Sequence, residues 1–329
     1  MRDVLAEVRA WLHEGDPVAL ATVVSTWGSA PRPAGSRMAV SRSGRLAGSV
    51  SGGCLEAEVF EHAQAVIGGS PARLFHYGVS DDLAWTVGLS CGGEVDILVE
   101  PLSDVHHSLM DALESERPVV LASGLSEAIG AQRLLEASEP EAPSLLDRDT
   151  PERRGGWFFE PFPRPAELLI FGGAHLAIPL SRFARDLGFR VTVVDARTTF
   201  ADPGRFPAAD RVIHAWPDEV LEKMTIDRSS YVVVLTHDPK FDDPTIRAAL
   251  KSDARYIGAI GSRKTHRARV ERLLALGVRQ ADLDRVRAPI GLDLGGRTVE
   301  ETALAILAEM VAVRHQRTGH SLSGAPPIA

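Results

Sequence analysis

The chain has 329 residues and a formal net charge of −8, from 36 Lys plus Arg against 44 Asp plus Glu. That length supports about two domains, each able to bury its own core, and the negative balance argues against nucleic-acid binding by the whole protein. Hydrophobic residues at 44% and charged residues at 24% exclude a wholly disordered chain.

No apolar run reaches the roughly 18 residues of a transmembrane helix, so no membrane association is expected. The opening Met1-Arg2-Asp3-Val4-Leu5 carries charges among its apolar positions, unlike a secretory signal. Cys54 and Cys91 are too few for a disulfide framework, and neither sits in a Cys-x-x-Cys. Both are expected as reduced thiols in a cytoplasmic protein without structural zinc.

Leu5, Val8 and Leu12 recur at helical spacing, which predicts a helix over 2–14 that stops at Gly15 and Pro17. Val18–Val24 reads as a strand. Met38–Ser41 and Leu46–Ser49 flank Ser43-Gly44 as a hairpin. A small-residue turn over Gly48–Gly53 leads into a helix from Leu55 to Ile67. Arg73–Tyr77 and Glu94–Glu100 are further strands. This half is expected as a smaller α+β domain over 1–135.

Six prolines fall between 136 and 166 (Pro140, Pro143, Pro151, Pro161, Pro163 and Pro165), which exclude a long helix. The stretch is expected as a linker with one short strand near Trp157–Glu160. Beyond it, strands at Leu168–Phe171, Arg190–Val194, Tyr231–Leu235 and Tyr256–Ile260 alternate with helices to about Leu187 and over 243–251 and 264–276. That alternation predicts a Rossmann-like, doubly wound parallel sheet over 167–315, followed by a flexible tail over 316–329.

The turn after the first of these strands reads Gly172-Gly173-Ala174-His175-Leu176-Ala177. The dinucleotide fingerprint is G-x-G-x-x-G/A with an acid about 20 residues on. Here the pattern is Gly172-x-Ala174-x-x-Ala177, with Asp195 at the second strand end. The middle glycine, which lets a pyrophosphate approach the backbone, is replaced, and the Ala174 methyl should weaken that approach. The helix start still offers N–H groups to an anion, and Asp195 is placed to accept from a ribose hydroxyl. Ligands of open α/β sheets bind outside the carboxyl ends of strands. That edge also receives Arg197, Thr236, His237, Asp238, Gly261, Ser262, Arg263 and Lys264. A nucleotide fold that binds no nucleotide is the plainer alternative.

In the first half, Arg32 and Arg37 flank a Pro-rich turn, Gly52-Gly53-Cys54 enters a helix, and Cys91-Gly92-Gly93 precedes a strand. Glycine turns can face an anion with their N–H groups, and thiols suit a soft metal. Two buried structural cysteines would be the ordinary reading.

These motifs together resemble the XdhC/CoxI family, accessory proteins that mature xanthine dehydrogenase and related molybdenum hydroxylases. The matching segments are Gly28–Arg32, Gly48–Glu56, Ser90–Gly93, Leu169–His175, Val193–Arg197, Thr236–Asp238, Tyr256–Arg263 and Pro289–Asp293, in family order through most of the chain. The resemblance implies a chaperone rather than a catalyst. Such a protein binds the molybdenum cofactor (molybdopterin, with or without a nucleotide extension), holds it while a cysteine desulfurase supplies the sulfido ligand, and passes it to the apo-hydroxylase. It implies Cys54 and Cys91 as molybdenum or persulfide thiols, Arg32 and Arg37 at the phosphate with Gly52 and Gly53 sharing that role, and the second domain's crevice for a nucleotide. A homodimer is also expected. The family's usual Gly-Ala-Gly-His is here Gly172-Gly173-Ala174-His175. The alternatives are an NAD(P)-dependent oxidoreductase, for which no acid–base pair stands out, and a non-catalytic regulator of the same fold.

Overall fold

The computed structural model describes residues 1–28, 32–78 and 93–322. The chain divides into two compact units, Met1–Pro163 and Arg164–Ala329.

In the first unit, α1 (Leu5–His13) precedes β1 (Val18–Trp27), β2 (Arg37–Ser41) and β3 (Leu46–Gly48). After them come α2 (Glu56–Ile67), β4 (Arg73–Tyr77), β5 (Glu94–Pro101) and α3 (Asp104–Glu114). The strands form an antiparallel sheet in the order β3-β2-β1-β5-β4. Alternation along β1 sorts its side chains between two cores. Ala19, Ala21 and Val23 pack under Val59, Ala63 and Val66 of α2. Val18 and Leu20 pack with Val8 and Trp11 of α1 and Leu109 and Leu113 of α3.

The expected linker is instead folded. β6 (Val119–Gly124), β7 (Gln132–Glu136), α4 (Ala142–Arg148), β8 (Glu152–Arg154) and β9 (Trp157–Phe162) follow α3. Their strands make a second antiparallel sheet, β7-β6-β9-β8. The prolines fall where structure tolerates them. Pro143 is in the first turn of α4. Pro161 pairs with Val120 beyond the end of β8, so its missing N–H faces no partner strand. Phe158, Phe159 and Phe162 each enter a different core, and that burial outweighs the local turn composition.

In the second unit six parallel strands follow in sequence: β10 (Glu167–Phe171), β11 (Arg190–Asp195), β12 (Arg211–His214), β13 (Ser230–Val234), β14 (Tyr256–Ala259) and β15 (Val286–Arg287). Their spatial order is β12-β11-β10-β13-β14-β15. This is the 3-2-1-4-5-6 order of the dinucleotide-binding fold, whose crevice opens where the winding reverses, between β10 and β13. Both faces are buried, as a parallel sheet requires. Leu168, Ile170 and Val233 face α5 (Ala177–Asp186) and the final helix, Val299–Arg314. Leu169, Val232 and Ile257 face the other layer, which includes α6 (Pro217–Leu221), α7 (Pro239–Leu250), α8 (Arg263–Ala275) and α9 (Gln280–Leu283). Of the expected tail, residues 323–329 lie outside the described residues. Among the described residues, no helix is long and apolar enough to cross a membrane.

Candidate functional site

The β10/β13 crevice contains a cavity of about 560 Å³, lined by Ala174, Arg197, Leu235, Thr236, His237, Asp238, Pro239 and Phe241. A volume in this range suits a small ligand. Of the residues expected at this edge, Arg197, His237 and Asp238 meet here. His175, Ser262 and Arg263 do not line it. His175 is exposed on the turn into α5. Ser262 caps α8 by accepting from the Thr265 N–H at 3.1 Å, and Arg263 is the first residue of that helix.

Asp195 is not free for a ribose. Its carboxylate is buried and accepts from the Gly173 N–H at 2.9 Å, the Arg197 N–H at 2.9 Å, Arg197 Nε at 2.9 Å and Arg197 Nη2 at 2.8 Å. Burial alone would raise its pKa, but the Arg197 and Gly173 bonds hold it below the usual carboxylate range. The expectation of a ribose acceptor at Asp195 is therefore corrected: β11 ends in an ion pair that uses this carboxylate internally.

The same contacts explain the shifted glycine. A Cβ at Gly173 would lie 2.2 Å from the Phe200 carbonyl oxygen, so position 173 admits no side chain. Gly172 has φ +111°, and a Cβ there would meet Thr236 Cγ2 at 2.7 Å. The close approaches are made by the chain's own backbone and side chains. Ala174 lines the cavity instead.

Aromatic residues join the expected Arg197 in the crevice wall, and sequence reading missed them. The Arg197 guanidinium lies 3.9 Å from the centroid of Phe200 and 5.9 Å from that of Phe241. Trp216 stacks on Phe241 at 4.7 Å with planes 13° apart. Behind the cavity, Thr236 Oγ1 donates to Asp242, whose other oxygen accepts from Arg269 Nη2 at 2.7 Å. The same Nη2 donates to the Ile260 carbonyl at 3.0 Å, so the buried Arg269 ties the ends of β13 and β14 together.

In the first unit the glycine turn is a filled anion nest. The carboxylate of Glu56, the first residue of α2, accepts from Ser49 Oγ at 2.6 Å and from the N–H groups of Val50 at 3.2 Å, Ser51 at 2.9 Å, Gly52 at 3.1 Å and Gly53 at 2.7 Å. Ser51 Oγ adds another donor. Burial opposes the charge, but the Ser49 and Ser51 bonds prevail and bring the Glu56 pKa down to about 2. Gly52 and Gly53 thus serve an internal carboxylate, which corrects their expected role at a ligand phosphate. Cys54 sits in this fixed loop as an exposed thiol. The signal for Glu56 was present as an acid a few residues after Ser51, in the manner of a capping box.

Arg37 is also corrected. It is 1% exposed and donates to Glu160 through Nη2 at 2.5 Å and Nη1 at 3.2 Å, and to Thr22 Oγ1 through Nε at 2.9 Å. It ties β2 to β9 and presents no donor to solvent. Arg32 differs: its Nε is buried without a hydrogen-bond partner among the described residues, while its Nη2 makes a long ion pair with Asp3 at 4.0 Å. Gly93 is buried immediately before β5, whereas Cys91 and Gly92 lie outside the described residues. Among the described residues no group of three or more His, Cys, Asp or Glu side chains could hold a metal ion.

The comparisons agree with this architecture. Residues 168–310 match the family model described as the XdhC Rossmann domain, and residues 11–78 match that of the XdhC and CoxI family. The chain is 29% identical to a probable xanthine dehydrogenase subunit of Bacillus subtilis (strain 168), over 93% of this chain and 96% of that protein. It is 30% identical to the molybdenum cofactor insertion chaperone PaoD of Escherichia coli (strain K12), over 93% of this chain and 86% of that one. The crystal structure of a xanthine dehydrogenase from Bacillus halodurans superposes with a TM-score of 0.69 at 27% identity, covering 98% of both chains. The chain belongs to the XdhC and CoxI family.

Proposed function

We propose that this protein is a cytoplasmic maturation factor that takes the molybdenum cofactor as cargo. It keeps the cofactor while a cysteine desulfurase supplies the terminal sulfido ligand, and delivers it to a xanthine dehydrogenase-type apo-hydroxylase. The observation that carries this reading is the 30% identity over 313 residues to a molybdenum cofactor insertion chaperone.

The residues suit such cargo. Arg32 Nε is a buried donor with no partner among the described residues, as a phosphate site needs. Cys54 offers an exposed soft sulfur on a loop held rigid by Glu56. Cys91 would supply a second thiol. The second unit's crevice, with Arg197 beside the Trp216–Phe241 stack, suits a nucleotide extension of the cargo. The chain's own work is to bind and shield rather than to catalyse, and it acts as a homodimer. Light scattering at twice the 35.4 kDa chain mass tests the dimer.

The direct test is maturation. Apo-hydroxylase made without this protein should stay inactive and gain activity when the wild-type chain, cofactor and a sulfur donor are added. The Cys54→Ser chain should give at most a small fraction of that gain. Full activation without the chain would overturn the reading.

A further inference from the structure

One cluster in the first unit is used by neither the nest nor the crevice. It lies on the face of the five-stranded sheet opposite α2. The antiparallel register sets Trp27 opposite Glu94, and both Ser25 and His76 opposite Asp96. Glu94 and Asp96 are two residues apart on one strand and so share this face. Arg153, from β8, reaches across it: Nη1 donates to Asp96 Oδ2 at 2.8 Å and approaches Ser25 Oγ at 3.4 Å.

The parts have distinct chemistry. Asp96 is buried, and its other oxygen lies 2.7 Å from His76 Nδ1, which fixes an imidazole whose side chain is 56% exposed. In the neutral imidazole that donates Nδ1–H to Asp96, His76 Nε2 is left as an acceptor. Trp27 is 47% exposed and meets His76 edge-on at 6.2 Å. The Glu94 carboxylate makes no hydrogen bond or ion pair among the described residues. A Cβ on Gly78 would lie 3.1 Å from Glu94 Cγ and 3.3 Å from His76 Nε2, so this glycine keeps open the floor between the two acceptors. Nε and Nη2 of Arg153 have no partner among the described residues.

We propose that this face binds a phosphorylated heterocycle with a 2-amino-4-oxopyrimidine edge, the edge shared by pterins and guanine. That edge presents two adjacent N–H donors, which match the two oxygens of one carboxylate. Glu94 takes the edge, His76 Nε2 stands beside it as a further acceptor, Trp27 stacks on the ring, and the unused donors of Arg153 face the phosphate. Adenine presents an acceptor next to its amine and is disfavoured by the carboxylate. For a pterin, the inference rests on the cofactor reading above and assigns the cargo's ring to this face. Guanine binding stands without that reading.

The test is titration calorimetry of the full chain with neopterin, GMP and AMP. The wild type should bind neopterin and GMP, with AMP at least tenfold weaker. Glu94→Gln and Trp27→Ala should each weaken binding at least tenfold without shifting the melting temperature, because Trp27 is exposed and the half-buried Glu94 carboxylate has no partner among the described residues to lose. Arg153→Ala should weaken GMP and spare neopterin, which has no phosphate. Tighter neopterin identifies a pterin site, and tighter GMP identifies a guanine nucleotide site. The proposal is overturned if the wild type binds neither, if AMP matches GMP, or if Glu94→Gln binds as the wild type does. A chain that binds neopterin through Glu94 but is isolated from cofactor-producing cells without pterin keeps this inference and overturns the cofactor reading.

Discussion

Arg197 takes the Asp195 carboxylate through three of its own nitrogens, at 2.9, 2.9 and 2.8 Å, two residues beyond the strand end that carries the acid. In a dinucleotide fold that carboxylate selects the ribose diol. Here the pair closes that option and leaves the guanidinium at the cavity wall. NADH is therefore expected to bind with a Kd weaker than about 1 mM, which corresponds to only ~4 kcal/mol. Calorimetry checks this, and saturable binding at tens of micromolar would restore the oxidoreductase reading.

Glu56 predicts an acid-sensitive loop. Its folded pKa, about 2, lies below the ordinary 4.5. The carboxylate's contribution to stability is thus fully present above about pH 4.5 and is lost as pH falls toward 2. Glu56→Gln should destabilise the protein by about 1–3 kcal/mol at pH 7. The gap between variant and wild type should shrink as pH falls from 4.5 toward 2, because the unfolded wild-type chain protonates Glu56 there while the folded carboxylate stays ionised until about pH 2. Urea unfolding at several pH values measures it, and a gap independent of pH would contradict the nest.

Arg37 and Glu160 form a buried pair that joins the two sheets of the first unit. Removing one partner strands a buried charge. Arg37→Met and Glu160→Gln should each cost about 3–5 kcal/mol, and the Arg37→Met/Glu160→Leu double variant should cost less than the sum of the single losses. Denaturant midpoints decide it. Additive losses would mean that the pair is not coupled.

Arg269 should behave similarly but with a local signature. Arg269→Met leaves Asp242 buried without its cation, at a cost of about 3–5 kcal/mol. It also releases Thr236 and the Ile260 carbonyl at the crevice edge. Hydrogen exchange should rise first in the segments after β13 and β14. A uniform increase across the unit would point to general destabilisation instead.

The second unit was the more legible from sequence. Its strands are continuous apolar runs such as Leu168–Phe171, and Gly172 and Asp195 mark strand ends by residue type alone. The first unit is harder to read, because its second sheet contains prolines that mimic a linker until Pro161 is seen to lie beyond the end of β8. Site chemistry was less visible still. Arg37 and a ligand-binding arginine look identical in sequence, and only the Glu160 contact, 123 residues away, separates them. Asp195 fails as a ribose acceptor because Arg197, which sequence groups with the same site, occupies its carboxylate. The register that brings His76, Asp96 and Glu94 onto one face needs strand pairing that no local pattern encodes.

The most direct test of the central claim is anaerobic isolation of the chain from cofactor-producing cells, with molybdenum and oxidised pterin fluorescence quantified per chain, beside Cys54→Ser and Cys91→Ser. Molybdenum and pterin should approach one per chain in the wild type, with a marked loss in at least one cysteine variant. Absence of both from the wild type, even after incubation with free cofactor, would contradict a role in carrying the cofactor.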